Sequence, residues 1–306
     1  MPVNWKGVLP AITTPFDDAL RVDHAALAAH ARWLVDAGCV GIVAGGSLGE
    51  ASTLRTDEKL AVIATLVGAL EGLAPVVASV AASSTAEAVD FTREAEAAGA
   101  AGFMVLPPYV YAGDAREMRA HVAAVFGATH LPCMLYNNPL AYHTDFLPPE
   151  VVALHADHPH MNAVKESSGN VRRIAWLRSL LPDDADFTIL MGVDDLALEA
   201  FAAGAEGWIA GLVNAFPEES VALLELARAG RRAEAATLYR WFLPLLRLDI
   251  GTKFVQRIKL AQERVGRGPA RVRPPRLELV GEEREETLRV VAEALANPPS
   301  ALPRPA

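Results

Sequence analysis

Ala163-Val164-Lys165-Glu166-Ser167-Ser168-Gly169 is a short apolar run that stops abruptly in small polar residues, with a lysine at the junction. A lysine at the carboxyl end of a buried strand loses hydration, which penalises the ammonium and lowers its pKa from about 10.4 toward neutrality. The free amine is then a nucleophile for a carbonyl or imine carbon. Upstream, Leu131-Pro132-Cys133-Met134-Leu135-Tyr136-Asn137-Asn138-Pro139 is a second apolar run, ending in the phenol of Tyr136 at a proline turn. Two neighbouring strands of this kind would aim an amine and a phenol at one place.

Other groups admit two readings. Gly45-Gly46-Ser47-Leu48-Gly49 satisfies the G-x-S-x-G pattern of a hydrolase nucleophile elbow. Such a hydrolase needs an acid and then a histidine downstream at strand ends, and no such pair stands out. The alternative is a glycine-rich turn whose backbone N–H groups bind a substrate carboxylate, with the Ser47 hydroxyl relaying a proton. His155, His158 and His160 have a ligand-like spacing, but they fall in an irregular stretch before a strand, on the side of the fold away from the strand ends. Asp194, in Gly192-Val193-Asp194-Asp195, either lines a site or caps the following helix. No metal or organic cofactor is expected.

The chain that must position these groups has 306 residues, 52% of them apolar and 21% charged, which suits one large α/β unit with an appendage. Its net charge of −9 and lack of a basic cluster argue against a nucleic-acid surface, leaving small metabolites as the expected partners. With no basic-then-apolar start and no long apolar run, secretion and membrane insertion are disfavoured and a cytoplasmic location is expected. Cys39 and Cys133 lie in or beside apolar runs and read as reduced core residues.

Three stretches share one pattern: Ala37-Gly38-Cys39-Val40-Gly41, Ala98-Gly99-Ala100-Ala101-Gly102 and Ala203-Gly204-Ala205-Glu206-Gly207, each followed by apolar residues. An alanine-rich helix ends at a glycine able to take the left-handed cap conformation, and a second glycine precedes a buried strand. These become strands two, four and eight of a (β/α)₈ TIM barrel. The others are expected at Gly7 to Thr14, Pro75 to Val80, Pro132 to Tyr136, Asn162 to Glu166 and Phe187 to Met191. Helical periodicity marks His24–Asp36, Thr56–Leu70, Thr85–Ala97, Ala115–Phe126 and Arg172–Leu180 between them. The barrel is expected over residues 1–225, and a C-terminal helical extension with a frayed tail over 226–306. A barrel of this type places its active site at the carboxyl ends of the strands, which selects Lys165, Tyr136, Ser47 and the pair Tyr109 and Tyr111.

With Thr13-Thr14-Pro15-Phe16, Gly46-Ser47-Leu48-Gly49-Glu50, Tyr136-Asn137-Asn138-Pro139 and Lys165-Glu166-Ser167-Ser168-Gly169 in this order, the chain resembles the dihydrodipicolinate synthase and N-acetylneuraminate lyase superfamily from about Gly7 to Leu295. These are class I Schiff-base enzymes on a (β/α)₈ barrel with a C-terminal helical domain. The resemblance implies that Lys165 forms the Schiff base, Tyr136 moves protons, and the backbone at Ser47 and Leu48 holds the carboxylate of a 2-oxo acid or its imine. It implies further that Ile209 lines the pocket, and that the protein is a homotetramer built from two tight dimers.

Three positions depart from the synthase pattern. Leu48 stands where a synthase has the second threonine of Gly-Thr-Thr-Gly-Glu, Ala141 where it has an arginine for the aldehyde substrate's carboxylate, and Val110 where one subunit lends its neighbour a relay tyrosine. Tyr109 and Tyr111 flank that last position, and either is a candidate to enter a site. Gly46 to Glu50, Asn138 to Tyr142, Lys165 to Arg173, Gly211 to Pro217 and Tyr239 to Phe242 resemble instead the 1-pyrroline-4-hydroxy-2-carboxylate deaminases of hydroxyproline catabolism. That resemblance implies a cyclic imine carboxylate as substrate, 2,5-dioxopentanoate and ammonia as products, and contact of Leu140 to His143 with the distal part of the substrate. The alternatives are a 2-oxo acid aldolase or sugar-acid dehydratase of the same superfamily, and a catalytically silent ligand-binding barrel.

Overall fold

The computed structural model describes residues 1–108, 110–111 and 113–299. Eight parallel strands, β1 (Val8–Pro10), β2 (Ile42–Ala44), β3 (Val76–Val80), β4 (Gly102–Val105), β5 (Cys133–Asn137), β6 (Met161–Glu166), β7 (Thr188–Met191) and β8 (Gly207–Ala210), follow one another around a single sheet. β1 pairs with β8, Val8 opposite Trp208, and the seam between β1 and β2 is closed by the parallel bridge from Ala11 to Val43. The result is a (β/α)₈ TIM barrel with helices outside, in which nearly every strand residue is buried, as parallel pairing with covered faces requires.

Eight helices lie between the strands and around the barrel: α1 (His24–Asp36), α2 (Thr56–Ala69), α3 (Thr85–Ala97), α4 (Ala115–Phe126), α5 (Pro139–Tyr142), α6 (Pro148–Asp157), α7 (Arg172–Leu180) and α8 (Ala197–Ala202). α3 shows why they form: Ser84 accepts from the Glu87 amide at the start, and Ala88, Phe91, Thr92 and Ala95 make one buried stripe. The three repeated glycines do what their pattern implies. Gly38, Gly99 and Gly204 have φ of 104°, 96° and 106°. The next amide in each case reaches back to close the helix, from Cys39 to Leu34 at 3.2 Å, Ala100 to Ala95 at 3.0 Å and Ala205 to Ala200 at 2.9 Å. His155 lies within α6 rather than in an irregular stretch.

Beyond β8 come α9 (Pro217–Arg228), α10 (Arg232–Leu246), α11 (Phe254–Arg264) and α12 (Gly281–Ala296). The boundary expected after residue 225 falls inside α9, which packs on β1 as well as on α10. Residues 300–306 of the proline-bearing tail lie outside the described residues. Among the described residues no helix is long and apolar enough to cross a membrane.

One buried ion pair ties the extension to the barrel. Lys259 of α11 donates to Glu50 Oε1 at 2.5 Å and to the Arg271 carbonyl at 2.6 Å, while Glu50 Oε2 accepts from the Arg273 amide at 3.0 Å. Both charged side chains are almost wholly enclosed. Removing one member of such a pair strands the other charge, at a cost of about 3 kcal/mol. Lys259→Met is therefore expected to lower the urea midpoint substantially, and adding Glu50→Gln to recover much of the loss. A single variant that unfolds at the wild-type midpoint would show that the pair does not clamp the two parts together.

Candidate active site

β5 and β6 are in register such that Tyr136 stands opposite Lys165, and both side chains are buried at the carboxyl end of the barrel. The Lys165 ammonium nitrogen lies 4.0 Å from the centre of the Tyr136 ring. Space for the lysine is made by Gly192 after β7: a Cβ there would sit 2.5 Å from Lys165 Cε and 2.1 Å from Ser167 Oγ. A cavity of about 300 Å³ opens over this pair. Ser47, Leu48, Ala141 and Ile209 all line it, so these four converge with Lys165 and Tyr136 on one space.

Tyr111, after β4, does not join them in its own chain. The Tyr111 side chain is exposed, its hydroxyl donates to Glu117 Oε2 at 3.1 Å, and it is not among the residues lining the cavity of its own chain. Tyr109 lies outside the described residues. The spacing of the two tyrosines could not reveal that Glu117, which also closes the capping box of α4, draws the Tyr111 hydroxyl away from the strand ends.

A different tyrosine fills the gap. Asn138 accepts from the Ala141 amide and Pro139 occupies the first turn, so the chain after β5 folds at once into the short α5. That turn brings Tyr142 over Tyr136, ring centres 5.6 Å apart and edge to face. The Tyr142 hydroxyl shares a 2.5 Å hydrogen bond with Ser47 Oγ, and each phenol bears on the other's ionisation. The Tyr136 hydroxyl also accepts from Asn138 Nδ2 at 3.0 Å. Tyr142 thus stands between Tyr136, against whose ring it packs, and Ser47, to which it is hydrogen-bonded; the sequence placed it only within the segment Leu140 to His143.

Electrostatics prepare the amine. Burial depresses the Lys165 pKa, against the opposing pull of Tyr142, Asp249 and Asp194. Burial raises both phenols. Asp194 is pushed up to about 6 by burial, although Leu212 N at 2.7 Å, Gly211 N at 3.1 Å and Trp208 Nε1 at 3.0 Å all donate to it. It neither lines the cavity nor caps a helix; it holds the loop after β8 in place. On the other wall, neither the Ser47 nor the Leu48 amide has a hydrogen-bond partner among the described residues, the condition for accepting a carboxylate.

The remaining readings resolve locally. Ser47 Oγ is bonded to a phenol and not to an imidazole, so its partner is not that of a hydrolase serine. His155 donates to the Met161 carbonyl and His160 to the Phe126 carbonyl, each at 2.9 Å, near the amino end of β6 and away from the cavity. Three cavity residues, Asp249, Phe254 and Arg276, come from the helical extension. No local pattern marks them, because they reach the cavity only through tertiary packing.

Residues 4–294 match the model of the dihydrodipicolinate synthetase family. The chain belongs to that family. The 4-hydroxy-tetrahydrodipicolinate synthase of Natronomonas pharaonis is 34% identical over 235 residues, 77% of this chain and 79% of that one. The enzyme of the same name from Methanoculleus marisnigri is 34% identical over 290 residues, 94% of this chain and 98% of that one. Among solved structures, the 4-hydroxy-tetrahydrodipicolinate synthase of the methanotroph Methylacidiphilum fumariolicum SolV superposes with a TM-score of 0.88 at 31% identity, covering 95% of this chain and 97% of that one. As a member of the dihydrodipicolinate synthetase family, the protein is an enzyme of the class I Schiff-base lyase kind. The resemblance found in its motifs therefore holds at the level of the family.

Proposed function

We propose that this family member is a 1-pyrroline-4-hydroxy-2-carboxylate deaminase. The observation that carries the reading is the pairing of an intact Lys165 and Tyr136 with cavity walls that have lost a synthase's second-substrate groups: Leu48 and Ala141 both face the space and offer no side-chain hydrogen bond. Such a wall suits one compact substrate that carries its own leaving groups.

Lys165 attacks C2 of the cyclic imine, whose carboxylate is held by the amides of Ser47 and Leu48. Departure of the ring nitrogen opens the ring, leaving a lysine iminium at C2 and a free amine at C5. The iminium acidifies C3, and Tyr136, coupled through Tyr142 to Ser47, removes the proton to give an enamine. The enamine expels the 4-hydroxyl, and proton shifts convert the resulting unsaturated amine to an imine at C5. Water then releases ammonia from C5 and the keto acid from Lys165, giving 2,5-dioxopentanoate. The lysine iminium is the electron sink throughout.

The second reading is a 4-hydroxy-tetrahydrodipicolinate synthase, the name its relatives carry, which for the synthases this chain resembles means condensation of pyruvate with aspartate semialdehyde. It is favoured by Arg276, a cation that lines the cavity and could meet a second carboxylate in place of the arginine missing at Ala141. Ammonia release from 1-pyrroline-4-hydroxy-2-carboxylate, measured beside consumption of pyruvate with aspartate semialdehyde, separates the two. Rapid ammonia release without condensation supports the deaminase; condensation without ammonia release refutes it.

A further inference from the structure

Asp249 ends a single 3-10 turn, Arg247–Asp249, in the helical extension, yet its side chain lines the catalytic cavity with Lys165, Tyr136, Gly192 and Ile209. It reaches that position because residue 211 is glycine: a Cβ on Gly211 would lie 2.3 Å from Asp249 Oδ1 and 2.6 Å from its Cγ. Oδ1 is buried and has no hydrogen-bond partner among the described residues.

A carboxyl group kept for structure has its oxygens bonded, as those of the neighbouring Asp194 are. An unbonded oxygen buried beside the reacting lysine costs stability and is left for a group that enters the cavity. Burial, with Asp194 nearby, raises the carboxyl's pKa against the opposing pull of Lys165, which favours the protonated acid that such a step needs.

We infer that Asp249 is the acid that protonates the departing 4-hydroxyl. The inference rests on the deaminase reading and assigns a residue to its elimination step. In the enamine, the nitrogen lone pair re-forms the C2 iminium and the C2–C3 electron pair moves to make a C3–C4 double bond. The C4–O bond breaks as the oxygen takes the bonding pair and the Asp249 proton, leaving as water. Asp249 is then a carboxylate facing the lysine iminium, and it recovers its proton from the water that adds to the C5 imine.

The test compares wild type with Asp249→Asn on two substrates, 1-pyrroline-4-hydroxy-2-carboxylate and its 4-fluoro analogue, whose fluoride leaves without being protonated. Ammonia release from the hydroxy substrate is expected to fall by about 10²–10³-fold in the variant. Fluoride release from the analogue should stay near the wild-type rate, which also shows the variant to be folded and able to form its Schiff base. An equal fall on both substrates, or no fall on either, overturns the role of Asp249 while leaving the deaminase reading standing. A wild-type enzyme that releases no ammonia removes that reading, and the role of Asp249 with it. Asp249→Ser gives the same comparison if the asparagine variant does not fold.

Discussion

Lys165→Ala is expected to reduce ammonia release by at least about 10⁴-fold, because deleting the nucleophile of a covalent mechanism removes the whole pathway rather than one contact. Borohydride with pyruvate should trap a covalent adduct on the wild-type chain and none on the variant. Loss of the adduct with turnover retained would sink the Schiff-base mechanism. The trapping rate has a pH dependence whose sign follows from burial. Desolvation places the Lys165 pKa below the usual 10.5, so the rate should rise with pH as the ammonium loses its proton and level off below pH 10.5. The same shift bears on stability. Between its folded and unfolded pKa values Lys165 holds fewer protons in the fold, so burying it costs stability at low pH, and the cost fades as pH rises toward the unfolded value. Lys165→Met, which keeps the volume, should accordingly be as inactive as the alanine variant and at least as stable as wild type at neutral pH.

Lys165 and Tyr136 were legible in the sequence because their signal is local. Each ends an apolar run, and adjacent parallel strands in register do the rest. The barrel was legible for a related reason: the glycine that caps a helix and the glycine that precedes a strand are set by backbone conformation, which recurs with each unit. Short helices were less so. α5 has four residues and α8 six, too few for a period, and α6 opens on Pro148-Pro149, which reads as a turn. Gly192, Tyr142 and Asp249 take their importance from what they meet in space: Lys165 Cε, Ser47 Oγ and the bare Cα of Gly211. Tyr111 shows the converse. Its place in the sequence next to the position of a relay tyrosine made it a candidate to enter a site, and within its own chain a carboxylate on α4 binds its hydroxyl.

That difference sets the last expected result. A phenol is a poor base, and burial raises Tyr136 and Tyr142 further, so neither can hold a proton abstracted from C3 unless it passes its own along. Tyr142, packed on Tyr136 and bonded to Ser47, offers a relay within one subunit, where the synthase pattern draws a tyrosine from the neighbour. Tyr142→Phe keeps the ring that packs edge-on against Tyr136 and removes only the hydroxyl. It should lower kcat by about 10²–10⁴-fold, the range for loss of acid–base catalysis, while leaving the borohydride adduct with pyruvate intact, since Schiff-base formation precedes the C3 proton step. Tyr111→Phe, assayed alongside, discriminates between the two wirings. A loss confined to Tyr142→Phe makes the relay internal to each chain, whereas a comparable loss in Tyr111→Phe with a benign Tyr142→Phe would return it to the neighbouring subunit.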